Sequence, residues 1–254
     1  MSNLADLADL VIEEKLLSQY MNNKSIYSIG KPFEVKNNIA LIRIYGAIYP
    51  YPSWFSSASV NLLFEIMNVV KNDKNIKGMA FIIDSPGGAV YRVTELFNAI
   101  KDIKIKKVAF VDNCCCSLAY WLASACNKII ATSETAYFGS IGVLTSRYYG
   151  NDTNDTVVIT NRESINKHLD LREDKAKEYT QNRLDEIYSM FTRDILSNRS
   201  IKKEAMDGSY FLSNKAKELG LIDEIDLNCD IESYFNNEIT INDINEAVQK
   251  AMLI

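Results

Sequence analysis

"IKGMAFIIDSPGG", residues 76–88, decides how this chain folds. The apolar run 79–83 is the length of a strand. It ends abruptly in Asp84, Ser85, Pro86 and two glycines, a turn rather than a continuation. Upstream, "IALIRIYGAI" (39–48) reads as another strand, ending at Gly46. A polar and aromatic loop, "YPYPSWFSSAS" (49–59), leads from it into helical spacing over 60–73. Downstream, "VYRVTELFNAIKDI" (90–103) has helical spacing and "KKVAFVDN" (106–113) is a short strand, after which "CCCSLAYWLASAC" (114–126) starts a helix. "KIIATSETAYFGSIGV" (128–143) reads as a strand, a loop and a short extended piece; "TVVIT" (156–160) reads as a last core strand. Residues 172–196 return to helical spacing. Strands alternating with helices imply crossover units and a mostly parallel sheet, an α/β fold.

The bulk numbers set bounds on that reading. A chain of 254 residues, 47% of them hydrophobic, can bury a sizeable core and suits one α/β domain with extensions. The formal net charge of −5 gives no basic face for nucleic acid. Five cysteines, three of them adjacent, do not make a disulfide framework, so a reducing cytoplasm is expected. No stretch approaches the ~20 apolar residues that cross a bilayer, so no membrane partner is expected. Leu4, Leu7, Leu10, Val11 and Leu17 recur near helical spacing among acidic residues and predict an amphipathic helix. The expected layout is an N-terminal helical extension (1–30), a central domain (31–227) and a polar, acidic C-terminal tail (228–254) that ends in a short helix.

Chemistry could sit at two places. Ligands of parallel α/β sheets gather at the carboxyl ends of the strands, where "DSPGG" lies. Its paired glycines let backbone N–H groups approach a ligand closely, and such groups suit an oxyanion; a plain strand-to-helix turn would need the same residues. Ser117 stands between a strand and a helix, where an alkoxide would lie near the positive end of the helix dipole; it could equally be a helix cap. A serine nucleophile needs a base. The one histidine, His168, has no flanking residues that resemble a triad partner and reads as an exposed or helix-edge residue. A lysine can serve if burial lowers its ordinary pKa of about 10.4 by several units.

"FIIDSPGG" (81–88), "CCSLAYWLASACNKIIA" (115–131) and "GSIGV" (139–143) together resemble, in order and spacing, the signal peptide peptidase A family of Ser-Lys peptidases. The similarity runs over about 39–225. It is nearest to the soluble phage and prophage branch, the head-maturation or prohead proteases, which also carry an "NRS"-like segment (198–200) and a closing "LGLIDEI" (219–225). The resemblance implies a Clp/crotonase-like fold and a serine endopeptidase that needs neither cofactor nor metal. It implies Ser117 as the nucleophile, the N–H groups of Gly88 and Leu118 as oxyanion donors, Gly87 and Ala89 beside the substrate, and Ser140 orienting the base. Lys167 in "ESINKHLDL" fits the base and Lys175 is the alternative, because the Gly- and Pro-containing turn that usually follows this lysine is missing here. By the same resemblance the substrate is a protein or peptide, capsid or scaffold protein in the phage branch. A single copy of the motif set implies a homo-oligomeric ring in which one subunit's serine meets its neighbour's lysine.

The triple cysteine then falls in the segment leading into the nucleophile, where small apolar side chains pack tightly. Adjacent cysteines do not suit one tetrahedral zinc site. The aromatic loop 49–55 is expected to form a lip for substrate. Three other readings compete: a Clp-type protease, which requires a histidine soon after the serine; a crotonase-like acyl-CoA enzyme, which uses the oxyanion turn without a serine; and an inactive assembly protein of the same fold.

Overall fold

The computed structural model describes residues 10–12, 31–51, 58–146 and 170–235. Its centre is an eight-stranded sheet built on β6 (Lys106–Cys116), the longest strand. On one side of it lie β4 (Gly78–Ser85), β3 (Ile39–Tyr45) and β2 (Phe33–Lys36), on the other β7 (Lys128–Ala131) and β10 (Glu224–Ile225). All these neighbours are parallel except the β2–β3 hairpin. The C-terminal part of β6 leaves β7 and pairs instead with β8 (Tyr137–Gly139), which pairs antiparallel with β9 (Tyr210–Leu212). The expected α/β architecture, a mostly parallel sheet with crossover helices, is the one observed.

Sequence explains why these segments take these forms. β3 and β4 are almost wholly buried, as strands covered on both faces must be, and so carry near-continuous apolar runs. The crossover helices α1 (Val60–Asn72) and α2 (Val93–Asp102) present buried stripes, Leu63, Ile66, Met67 and Val70 on α1 and Leu96, Phe97 and Ile100 on α2. Ser59 caps α1 by accepting a hydrogen bond from the Leu62 N–H. The short helix α3 (Leu118–Ala123) is buried throughout, and the long, mostly exposed α4 (Asp174–Leu196) lays Phe191 and Ile195 against the core.

One expectation needs correction here. The three cysteines are strand, not helix: β6 continues through Cys116, and the helix starts only at Leu118. The cause is the partner on that side. β8 pairs Cys114, Cys115 and Cys116 with Tyr137, Phe138 and Gly139, which uses their backbone groups in a ladder. The N-terminal expectation also changes where it can be checked. Leu10–Ile12 form β1, a strand, rather than a turn of helix. Three consecutive apolar residues, two of them β-branched, satisfy a strand as well as a helix, and an open strand edge at β5 (Gly87–Ala89) takes them up. The strand expected at 156–160 and the helix at 241–254 lie outside the described residues.

The motifs at the end of the domain have structural work. Asn198 donates to the carbonyls of Ser124 and Cys126 and so closes the C-terminal end of α3. Arg199 pairs with Asp223, whose carboxylate also accepts from the Ile129 N–H at the start of β7. Gly220, with φ +81°, passes so near Ser200 that a Cβ would lie 2.4 Å from its carbonyl oxygen. Beyond it, the first residues of the expected polar tail turn back onto the sheet. Phe235 is fully buried with Ile39, Ala80, Val108 and Phe110, because Gly78 leaves room for its ring.

The tie between α4 and α3 is aromatic. Trp121 stacks on Phe191 at a centroid distance of 4.3 Å and donates its indole N–H to the buried carboxylate of Asp194. Phe191→Ala should therefore lower stability by about 3–5 kcal/mol, read as a lower denaturant midpoint at unchanged slope. A loss under about 1 kcal/mol would show that α4 is held by something else.

Candidate active site

β4 and β6 leave the sheet side by side. Their register pairs Ser85 with Cys115, after an irregularity that lets Asp112 and Asn113 bulge outward. Two residues beyond each paired position come Gly87 and Ser117, so the glycine turn and the serine emerge together at the carboxyl edge of the sheet. α3 packs against both β5 and the end of β4.

Ser117 occupies a sharp strand-to-helix turn. Its φ of +54° and ψ of −123° are costly for a residue with a Cβ, on the order of 1–3 kcal/mol. The turn is fixed from both sides: the Ser117 N–H donates to the Gly139 carbonyl, and its own carbonyl accepts from the Trp121 N–H. The side chain caps nothing. Its hydroxyl is buried and has no hydrogen-bond partner among the described residues. That excludes the helix-cap alternative, which requires the hydroxyl to accept from the helix N–H groups. Trp121 is the first residue of α3 whose N–H reaches back to a carbonyl, so the N–H groups of Leu118 to Tyr120 have no such partner within the helix. With only six residues the helix has a small dipole, and any stabilisation of negative charge there comes from individual N–H groups.

The glycine turn has its own internal logic. The Gly87 N–H donates to the Ser85 hydroxyl at 3.2 Å, and Gly87 has φ +108°, a value glycine adopts freely. Gly88 needs to be glycine for a reason not visible in the sequence. The backbone of Ile48 runs directly behind it, and a Cβ would fall 1.9 Å from the Ile48 carbonyl oxygen. Ile48 donates to the Gly87 carbonyl and accepts from the Ala89 N–H, so one edge of β5 is fully used. Backbone groups alternate along a strand, so the Gly88 N–H and carbonyl face the other edge, where β1 pairs. Gly87, Gly88 and Ala89 are all buried strand residues.

Ser140 is brought to the same place by β8. It follows Gly139, the residue paired with Cys116, has φ +50°, and donates its N–H to the Ser209 carbonyl. Ser117 with Leu118, Gly88 and Ser140 thus come from three segments of the chain to the same end of the sheet. Sequence reasoning missed Ser85 and Ile48, the two residues that shape the glycine turn; the polar Ser85 inside an apolar strand end was the available sign of the first.

The lysines stand differently. Lys167 and His168 lie outside the described residues. Lys175 is exposed on the first turn of α4, without the burial the base role requires. Among the described residues the one buried lysine is Lys107, whose burial holds its pKa below the ordinary lysine value. It caps carbonyls at the end of α2, at the opposite end of β6 from Ser117, and cannot reach the serine.

The cysteines are packing residues. Cys114, Cys115, Cys116 and Cys126 are buried, and none is in a disulfide. Burial holds the Cys115 thiol well above the ordinary range and pushes Cys126 up to about 12, which disfavours the thiolate that metal binding or nucleophilic attack requires. Of the aromatic loop, Tyr49–Tyr51 is described: Tyr51 is exposed and its ring lies 6.0 Å from that of Tyr91, two residues past the end of β5.

Comparison with known proteins bears on the family and the fold. Residues 99–237, more than half of the chain, match the profile described as peptidase family S49, and residues 51–138 match that described as Clp protease. A candidate protease of Methanocaldococcus jannaschii is 24% identical over 239 residues, covering 89% of this chain and 71% of its own. A candidate protease of Synechocystis is 29% identical over 215 residues, covering 76% and 72%. An enoyl-CoA hydratase of Shewanella pealeana superposes with a TM-score of 0.52 at 10% identity, over 82% of this chain and 72% of that one. At that identity the likeness concerns the fold alone, which is Clp/crotonase-like.

Gly88→Ala tests the glycine turn. Forcing the backbone away from Ile48 should move the Gly88 N–H and lower turnover of a peptide substrate by about 100-fold or more, the scale of losing one oxyanion donor, with circular dichroism unchanged. Near-normal turnover would remove Gly88 from the site.

Proposed function

The chain belongs to peptidase family S49, and on that premise we propose that it is a serine endopeptidase in which Ser117 is the nucleophile and Lys167 the base. The observation that carries the proposal is Ser117 itself: a buried hydroxyl on a strained turn, without a hydrogen-bond partner among the described residues, in a helix start that packs against β5. A buried structural serine would be hydrogen-bonded, and the φ/ψ pair of Ser117 is a strained one for a residue with a Cβ.

In the proposed reaction the neutral amine of Lys167 takes the Ser117 proton as Oγ attacks the substrate carbonyl. The oxyanion accepts hydrogen bonds from the Gly88 and Leu118 N–H groups, and Ser140 orients the lysine. The lysine proton passes to the leaving amine. Water, activated by the same lysine, then hydrolyses the acyl-enzyme. No metal or cofactor enters. An extended peptide would lie along Gly87–Ala89, with Tyr51 and Tyr91 as its aromatic lip.

The finer proposals rest on the motif resemblance. They are a cytoplasmic ring of identical subunits, each site completed by a neighbour's lysine, and capsid or scaffold protein as the substrate. Among the described residues no helix is long and apolar enough to cross a membrane, which is compatible with a protein substrate met in solution.

Ser117→Ala should leave the fold intact and reduce peptide hydrolysis by several powers of ten; unchanged turnover would contradict the nucleophile. Lys167→Ala should be equally inactive. Mixed after unfolding and reassembled, the two inactive proteins should recover part of the activity if serine and lysine come from different subunits. Recovery would be absent if each site were built within one chain.

A further inference from the structure

The edge of β5 opposite Ile48 is occupied. β1, residues Leu10–Ile12 of the same chain, pairs antiparallel with it in the register Leu10 with Ala89, Val11 with Gly88 and Ile12 with Gly87. This is the edge on which an extended peptide would be read by strand addition. The register is specific. Ile48 uses the Gly87 carbonyl and the Ala89 N–H on the far edge, so the Gly88 N–H and carbonyl point at β1. In an antiparallel ladder the residue opposite Gly88 then exchanges both backbone hydrogen bonds with it. That residue is Val11, and its carbonyl is the one that accepts from the Gly88 N–H.

We propose that the N-terminal segment is a substrate of this protein's own site, and that the bond cut is Val11–Ile12. The inference rests on the reading of Ser117 as nucleophile and Gly88 as oxyanion donor. A carbonyl held by the oxyanion donor is the carbonyl to be attacked, and α3, which begins one residue after Ser117, packs against β5. The Ser117 Oγ forms an ester bond to the Val11 carbonyl carbon, and the Val11–Ile12 C–N bond breaks. The hydroxyl proton passes through the base to the Ile12 nitrogen, which leaves as an amine. Water hydrolyses the ester, giving a Val11 carboxylate and a regenerated serine. Until the cut is made, β1 competes with any added peptide, and a tethered strand does so at an effective concentration in the millimolar range.

The test follows the intact chain by mass spectrometry and N-terminal sequencing, beside an assay of an added peptide substrate. The purified wild type should lose residues 1–11 and begin at Ile12-Glu13-Glu14, while Ser117→Ala stays whole. Val11→Pro, which removes the N–H that donates to the Gly88 carbonyl, should slow this cleavage by about tenfold or more. The same variant should hydrolyse added peptide at least as fast as the wild type. A wild type that hydrolyses added peptide but keeps its N-terminus would overturn the self-substrate while leaving the nucleophile in place. Cleavage at another bond of the N-terminal region would overturn the register. Failure of both cleavage and peptide hydrolysis would overturn the reading of Ser117 as well.

Discussion

The turn at Ser117 is the constraint from which the site follows. A non-glycine residue is held at φ +54° only because its neighbours leave it no alternative: Gly139 takes its N–H, α3 takes its carbonyl, and β6 on one side and the buried α3 on the other fix where the chain enters and leaves. The strain is offset by the packing around it, chiefly the Trp121–Phe191 stack and the Asn198 closure of α3. These contacts explain why residues as distant in sequence as 191 and 198 belong to the same unit as Ser117. They hold the helix that holds the turn.

A second constraint shapes the oxyanion side. The close passage of Ile48 behind Gly88 uses one edge of β5 completely and turns the remaining backbone groups to the other edge, where β1 pairs. The other edge of this short strand is a template for an extended segment, and β1 occupies it in a fixed register. Substrate recognition, on this account, is mostly backbone. Side-chain preference is left to the surroundings, where Tyr51 and Tyr91 stand nearest in the described residues.

Much of the fold was legible because its signals are local. The apolar runs of β3 and β4, the stripes on α1 and α2, and the stop at "DSPGG" each announce an element without help from the rest of the chain. The proposed nucleophile is singled out by the joint spacing of three motifs rather than by Ser117, which alone reads as a cap. What could not be read depends on partners distant in sequence. The cysteines became strand because β8 pairs with them, and Leu10–Ile12 became strand because β5 has a free edge. Gly88 is required by Ile48, forty residues earlier. No periodicity within a window of 18 residues carries such information. The base is the residue the motifs support least, since the turn expected after Lys167 is missing, and neither Lys175 nor Lys107 has both the burial and the position to replace it.

The central claim is that the Ser117 hydroxyl is a nucleophile and not a buried structural group. It is tested most directly by treating the folded protein with a fluorophosphonate and locating the adduct by tandem mass spectrometry of its proteolytic peptides. The account predicts a single phosphonylated residue, Ser117, with no adduct after denaturation, when the turn and its oxyanion donors are gone. An adduct on Ser140 or Cys116 instead, or a folded protein that takes up no reagent at all, would contradict it.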